Sequence, residues 1–210
     1  MPLALPVILM LMKRKRSLKF FIGIDEVGRG PLAGPVAVGA LFAAPKIIKK
    51  FRSIKESKQL SLSKREEWYA RMKVSVGKEL RFAVSYVSAD IIDKKGITFA
   101  TRLALLRSLE KLKISPKSCE VLLDGGLRAP KQYVRQKTII HGDAKETVIA
   151  MASVVAKVLR DRRMVRLHKR YPDYGFAAHK GYGTKAHYRA LKKYGFSPEH
   201  RESFCGNVIQ

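Results

Sequence analysis

At 210 residues, with 46% hydrophobic and 29% charged side chains, the chain can bury a sizeable core and is too apolar to be a disordered polyelectrolyte. Its 43 Lys and Arg against 17 Asp and Glu give a formal charge of +26, which points to a polyanionic partner, nucleic acid first and an anionic membrane surface second. Cys119 and Cys205 lie far apart without metal-ligand spacing, which argues against a disulfide scaffold or a zinc ribbon and suits a reducing cytoplasm.

Residues 1–12, MPLALPVILMLM, are apolar, and Lys13-Arg14-Lys15-Arg16 follows them. That run is too short to span a bilayer as a helix. A secretory signal carries its positive charge before the apolar run, whereas here it comes after. Residues 1–19 are therefore read as an extension outside the fold and expected to be poorly ordered, with Met10 or Met12 as alternative starts. Residues 20–210 are read as one α/β domain, because no repeat, linker or composition break divides them.

Phe20 to Ile24 is a nearly continuous apolar run, as in a strand buried on both faces, and it ends in Asp25-Glu26 before the Gly28-Arg29-Gly30-Pro31 turn. Pro35 to Ala44 predicts a second strand, whose Ala37, Gly39 and Ala40 permit close packing. A helix is expected over Leu60 to Met72, with Ser63 and Glu66 in capping-box spacing. Arg81 to Val87 alternates like a strand, and Ile97 to Leu112 places Leu103, Leu105, Leu106, Leu109 and Leu112 at helical intervals. Val121 to Leu123 is another buried-strand pattern, ending in Asp124. Thr138 to Ile140 repeats the arrangement and runs into Gly142-Asp143. One long helix is expected from Ala144 to about His168, small-residued first and strongly basic later, and a last basic helix from Thr184 to Tyr194.

Three strand-like segments thus end in acids, at Asp25-Glu26, Asp124 and Asp143. Ligand sites of open α/β sheets gather beyond strand ends. If these ends converge, four carboxylates share one small volume, and they cannot all stay ionised unless cations neutralise them. Two divalent ions would restore formal neutrality, and such a pair is the apparatus for in-line phosphodiester hydrolysis. Oxygen-only ligands favour Mg2+ or Mn2+ over zinc. Any one of these acids taken alone reads first as a turn former or helix cap, and Asp143 stands where it would cap the expected helix; the argument rests on their coincidence.

The segment Gly23-Ile24-Asp25-Glu26-Val27-Gly28-Arg29-Gly30-Pro31-Leu32-Ala33-Gly34-Pro35-Val36 resembles the signature opening of the ribonuclease HII family, the type 2 ribonucleases H. Further segments match that family in order: Ser57-Lys58-Gln59-Leu60-Ser61, Leu123-Asp124-Gly125, Gly142-Asp143-Ala144-Lys145, Ala152 to Val158 with Arg160-Asp161, His179 to Thr184, and His200 to Phe204. The resemblance covers nearly the whole chain. It implies a ribonuclease H-like fold, a mixed central sheet flanked by helices. It also implies metal-dependent cleavage of RNA in RNA–DNA hybrids and at ribonucleotides embedded in duplex DNA, on the 5′ side of the ribonucleotide, leaving a 3′-hydroxyl and a 5′-phosphate.

The family's four metal-binding, catalytic acids fall on Asp25, Glu26, Asp124 and Asp143, the set already reached from strand ends, with two Mg2+ or Mn2+ ions as cofactors. Gly28, Arg29 and Gly30, together with Tyr182, are implied to read the RNA-to-DNA junction, the tyrosine ring packing on the following deoxyribose. Lys58, Lys180, Thr184 and Arg201 are expected as phosphate contacts, and Asp161 as a structural or supporting residue. His179 and His200 admit either a part in product release or plain packing. Two residues depart from the family pattern: Glu56 where Asp is usual and Gly96 where Asn is usual. The implied protein is a cytoplasmic monomer whose partners are RNA–DNA hybrid and ribonucleotide-containing duplex, without membrane association. Two alternatives stand beside it: a ribonuclease HIII-like enzyme, disfavoured by Arg29 where that family has lysine, and a basic nucleic-acid-binding protein without catalysis.

Overall fold

The computed structural model describes residues 20–206. The expected extension over residues 1–19 therefore lies outside the described residues. Five strands form one mixed sheet in the order β3-β2-β1-β4-β5. They are β1 (Phe21–Val27), β2 (Val36–Ala43), β3 (Leu80–Val87), β4 (Glu120–Asp124) and β5 (Gln136–Ile139). β2 runs antiparallel to both β1 and β3, while β1, β4 and β5 are parallel. The α/β class and the flanked mixed sheet expected from sequence are what the chain adopts.

The helices are α1 (Pro45–Lys50), α2 (Leu62–Val74), α3 (Ala89–Lys95), α4 (Ile97–Leu112), α5 (Gly142–Lys145), α6 (Thr147–Arg170), α7 (Phe176–His179), α8 (Lys185–Tyr194) and α9 (Glu202–Cys205). One core joins Ile22 and Ile24 of β1, Val121 and Leu123 of β4 and Leu105 and Leu109 of α4. A second, on the other face, joins Leu41, Leu122 and the apolar side of α6. Successive strand side chains point to opposite faces, so β1 sends Ile22 and Ile24 toward α4 and leaves Gly23 toward α6. A Cβ at Gly23 would overlap the Val148 carbonyl, and one at Gly39 would press on Ala152 and Ala156. Gly23, Gly39 and the small residues of early α6 are thus what lets this helix lie directly on the sheet, while Ala40 faces α4.

Three local expectations are corrected. The cap of α2 is Ser61, whose hydroxyl accepts from the Lys64 amide at 3.2 Å; Ser63 lies inside the helix. The expected 144–168 helix is two helices, because Glu146 takes an extended conformation (φ −123°, ψ 113°) between α5 and α6. Asp143 accordingly sits in the first turn of α5 rather than capping the long helix. On α4 the buried line runs through Ala100, Ala104, Leu105, Ser108, Leu109 and Leu112, and Leu106 faces solvent.

Candidate active site

The parallel pairing of β1 with β4 aligns Ile24 with Leu123. The next residues, Asp25 and Asp124, therefore leave adjacent strand ends about 4.8 Å apart, on the same face of the sheet. That face is covered by α6, and the Ser153 hydroxyl hydrogen-bonds the Asp25 carboxylate from it. Asp124 Oδ1 accepts from the Gly142 amide at 2.6 Å, which draws in the start of α5 and with it Asp143. Glu26, one residue beyond Asp25, leaves β1 on the opposite, α4 side. There it borders a cavity of about 290 Å³ that also touches Arg29, Thr101, Arg102 and Arg128. The four acids thus straddle one end of the sheet.

Burial and mutual charge act on three of them, Asp25, Glu26 and Asp143. Asp25 is pushed up to about 8, first by burial and then by the charges of Glu26, Asp124 and Asp143, against the opposing hydrogen bond from Ser153. Burial also raises Glu26, with Asp124 adding and Arg29 opposing. Asp143 is raised by burial, by Asp124 and by Glu56. Glu56, standing where the family has Asp, thus keeps a fifth acid beside the cluster. Among the described residues, no three acid, histidine or cysteine side chains are already drawn together as a metal-holding group. Asp25 and Asp124 instead accept from the neighbouring amides of Glu26 and Gly142. The donor set still suits a hard divalent cation: every atom is a carboxylate oxygen, and Glu26 Oε2 is buried with no hydrogen-bond partner.

The Gly28–Pro35 segment forms a rim beside this acidic floor. Leu32 and Ala33 donate to the Gly181 carbonyl at 2.9 and 3.3 Å, Gly34 donates to the Glu199 carbonyl at 2.7 Å, and Arg201 N donates to the Leu32 carbonyl at 2.7 Å. These bonds seat Gly181, and with it the 44% exposed Tyr182, against the Leu32–Ala33 part of the same segment. Gly181 (φ +89°) is packed so closely that a Cβ would overlap the Ala33 carbonyl. Gly28 (φ +84°) stands directly over the Arg160 guanidinium, where a Cβ would have no room. Arg29 is exposed, with Nη1 3.8 Å from Glu26 Oε1.

The remaining expected contacts divide. Lys58 is exposed and close enough to Glu26 and Asp143 to hold both carboxyls down electrostatically. The Lys180 amine turns back to the Ala177 carbonyl. Thr184 caps α8, its hydroxyl accepting from the His187 amide at 3.2 Å. Arg201 is a correction. It is 0% exposed, its guanidinium donates to the carbonyls of Gly28, Arg29 and Gly34, and so it cannot reach a phosphate. Asp161 pairs with Lys157 at 2.9 Å, about 12 Å along α6 from Ser153.

Sequence reasoning missed three supporting groups. The Ser153 hydroxyl that bonds Asp25 also lies 2.8 Å from the Ser57 hydroxyl, linking Asp25 to the loop that carries Lys58. Arg160, read as part of a basic helical run, is fully buried and donates to Pro35 at 2.9 Å and Lys180 at 3.1 Å. The third is a histidine relay. His200 Nδ1 accepts from the Ser197 amide, so its Nε2–H donates to His187 Nε2 at 3.0 Å, and His187 Nδ1–H in turn holds the Tyr182 carbonyl at 2.9 Å. Burial holds both rings down near 4, so they are neutral at pH 7.

Comparison with known proteins settles the family. The model of the family described as Ribonuclease HII matches residues 22–207. The chain belongs to the ribonuclease HII family. It is 44% identical to the ribonuclease HII of Coxiella burnetii (strain RSA 493 / Nine Mile phase I) over 182 residues, 87% of this chain and 86% of that protein. It superposes on the crystal structure of ribonuclease H2 from Pyrococcus horikoshii OT3 with a TM-score of 0.73 at 25% identity, covering 90% of this chain and 97% of that one. A Bst RNase HIII solved in complex with Mn2+ shares the fold, with a TM-score of 0.70 at 20% identity over 92% of this chain and 70% of that one. The enzyme is therefore a nuclease that hydrolyses RNA in RNA–DNA hybrids, and the reading as a non-catalytic binding protein falls away. No described helix is long and apolar enough to cross a membrane.

Proposed function

We propose that this ribonuclease HII uses divalent metal ions, Mg2+ or Mn2+, held two at a time by Asp25, Glu26, Asp124 and Asp143. The observation that carries this is the gathering of four carboxylates at one sheet end, with burial pushing Asp25 up to about 8 and Glu26 Oε2 left without a partner. Bound there, the ions supply activation of water and stabilisation of the leaving oxygen. The Mn2+ held by the HIII relative supports the choice of ion.

The protein's own groups do the rest. Its large positive charge gathers the duplex. Lys58 stands beside the acids to meet the phosphate, and Arg29 offers a forked cation at the rim. The exposed Tyr182 ring lies against the sugar on the DNA side of the junction, while the Gly28-Arg29-Gly30 backbone senses the 2′-hydroxyl, the group that separates RNA from DNA. The cut falls on the 5′ side of the ribonucleotide and leaves a 3′-hydroxyl and a 5′-phosphate. Single ribonucleotides in duplex DNA are substrates as well as longer hybrids, which suits repair and replication. The enzyme acts as a cytoplasmic monomer, a setting supported by its two free, buried cysteines.

The test is a duplex carrying one ribonucleotide, incubated with Mg2+ or Mn2+, followed by analysis of the ends. A nick 5′ to the ribonucleotide with a 3′-hydroxyl is expected, and none after chelation. A nick that survives chelation would overturn the metal assignment, and cleavage of long hybrids alone would overturn the junction reading.

A further inference from the structure

Arg201 has no carboxylate within ion-pair distance among the described residues, although its guanidinium is wholly buried. Its charge is met by backbone oxygens: Nε and Nη2 donate to Gly34 at 3.0 and 2.7 Å, Nη2 also to Gly28 at 2.7 Å, and Nη1 to Arg29 at 2.8 Å. Burying an unpaired cation is costly, so an arrangement satisfied only by carbonyls needs a compensating reason. The geometry of the peptide unit supplies one. In a trans peptide the carbonyl of one residue and the amide of the next point in opposite directions, and the described chain contains no cis bond. With the Gly28 and Arg29 carbonyls drawn inward to Arg201, the amides of Arg29 and Gly30 face outward. Neither donates to any atom of the described residues, and both residues are exposed.

Gly30 supports the same reading. Its backbone does not require a glycine: its φ is not positive, and a Cβ built there would meet nothing within 4 Å. Glycine at such a position serves something that approaches from outside. Gly28 is different, because it has positive φ and Arg160 lies directly beneath it.

We propose that Arg201 is the positioning residue of the ribonucleotide-reading turn, turning the Arg29 and Gly30 amides outward as a pair of donors for a sugar or phosphate oxygen of the substrate. This rests on the junction-reading role given to the turn above. Lysine at 201 keeps the charge but loses the planar fork that takes three carbonyls at once. A turn released from that fork no longer holds two parallel donors, while the basic surface that binds any duplex is untouched.

The experiment compares two duplexes of one sequence, one all-DNA and one with a single ribonucleotide, binding to the full chain under chelation so that neither is cut. The wild-type protein should favour the ribonucleotide duplex, and Arg201→Lys should lose roughly tenfold of that preference, the effect of about 1.4 kcal/mol of lost donor geometry. Its all-DNA affinity should stay at the wild-type level, whereas simple destabilisation would lower binding to both duplexes together. A preference that survives in Arg201→Lys overturns the assignment of Arg201 alone. A wild-type protein without any preference overturns the reading role of the turn, and Arg201 with it.

Two measurements hold if Arg201→Lys does not fold. Gly30→Ala, which the free fold accommodates, should lose the preference in the same way; keeping it would contradict the outward amides. Hydrogen exchange at Arg29 and Gly30 in the wild-type protein should be fast when free and slowed by the ribonucleotide duplex. Protection already present in the free protein would mean that the amides point inward, and the proposal would fail.

Discussion

The floor and the rim of the site solve opposite electrostatic problems. On the floor, Asp25, Glu26, Asp124 and Asp143 crowd negative charge at the end of a sheet, and burial drives Asp25 to hold a proton up to about pH 8. On the rim, Arg160 and Arg201 are buried cations satisfied by the carbonyls of residues 28–35 and of Lys180. The floor carries more acid than its neighbours neutralise, and Asp25 meets that crowding by holding a proton whose place a cation would take under the proposed function. The rim is complete within the chain, because backbone dipoles already solvate its charge. The floor thus looks electrostatically unfinished, as the proposed ion site requires, whereas the rim does not.

The sharpest way to break this contrast is Asp25→Asn. It should reduce cleavage to background while binding of duplex persists. In the metal-free protein it should also raise the melting temperature by about 2–4 °C, the shift for a gain near 1 kcal/mol in a chain of this size. A variant that still cuts, or that melts lower without metal, would mean that the floor is not under repulsive strain.

A smaller effect is expected at the rim. Arg29→Ala and Tyr182→Ala should each lose roughly tenfold more kcat/KM on a single-ribonucleotide duplex than on a long hybrid, since loss of one oriented contact costs about 1–2 kcal/mol. Equal losses on the two substrates would show that these residues bind nucleic acid without reading the junction.

The smallest effects separate floor from rim by pH. Folded Asp25 keeps a proton that the unfolded chain releases above its ordinary 3.8, so metal-free stability falls as pH rises toward 8; Glu26 and Asp143 are raised in the same sense. Between pH 6.5 and 8 this signal stands clear of His187 and His200, and added Mg2+ or Mn2+ should cancel it. His187 and His200 act the other way. They stay neutral in the fold down to about 4, while the unfolded chain takes up protons below 6.5. Stability should therefore drop as pH falls from 6.5 to 4, most visibly in Asp25→Asn. Thermal melts across both windows check the two signs, and a flat profile in either would remove the corresponding cluster from the account.

The floor was legible in the sequence because each acid ends an apolar run, and a strand end is a place that local pattern reveals. Asp124 and Asp25 then come together through ordinary parallel pairing. The rim was not legible in the same way. Arg201 lies 173 residues from Gly28, and among 43 Lys and Arg nothing local marks one arginine as buried. The same holds for Arg160, which sits within a run of basic residues that otherwise faces partly outward. The break at Glu146 escaped notice because the bond from Gly142 N to Asp124 Oδ1 fixes α5 from another strand. Helix propensity within residues 144–168 carries no trace of it. The relay from His200 through His187 to Tyr182 is likewise built by the fold, across two loops and the start of α8.

Anomalous diffraction from a crystal soaked in Mn2+ with a bound ribonucleotide duplex tests the floor most directly. Two manganese peaks in contact with carboxylate oxygens of Asp25, Glu26, Asp124 and Asp143 are expected. Manganese bound elsewhere, with no peak between Asp25 and Asp124, would contradict the account.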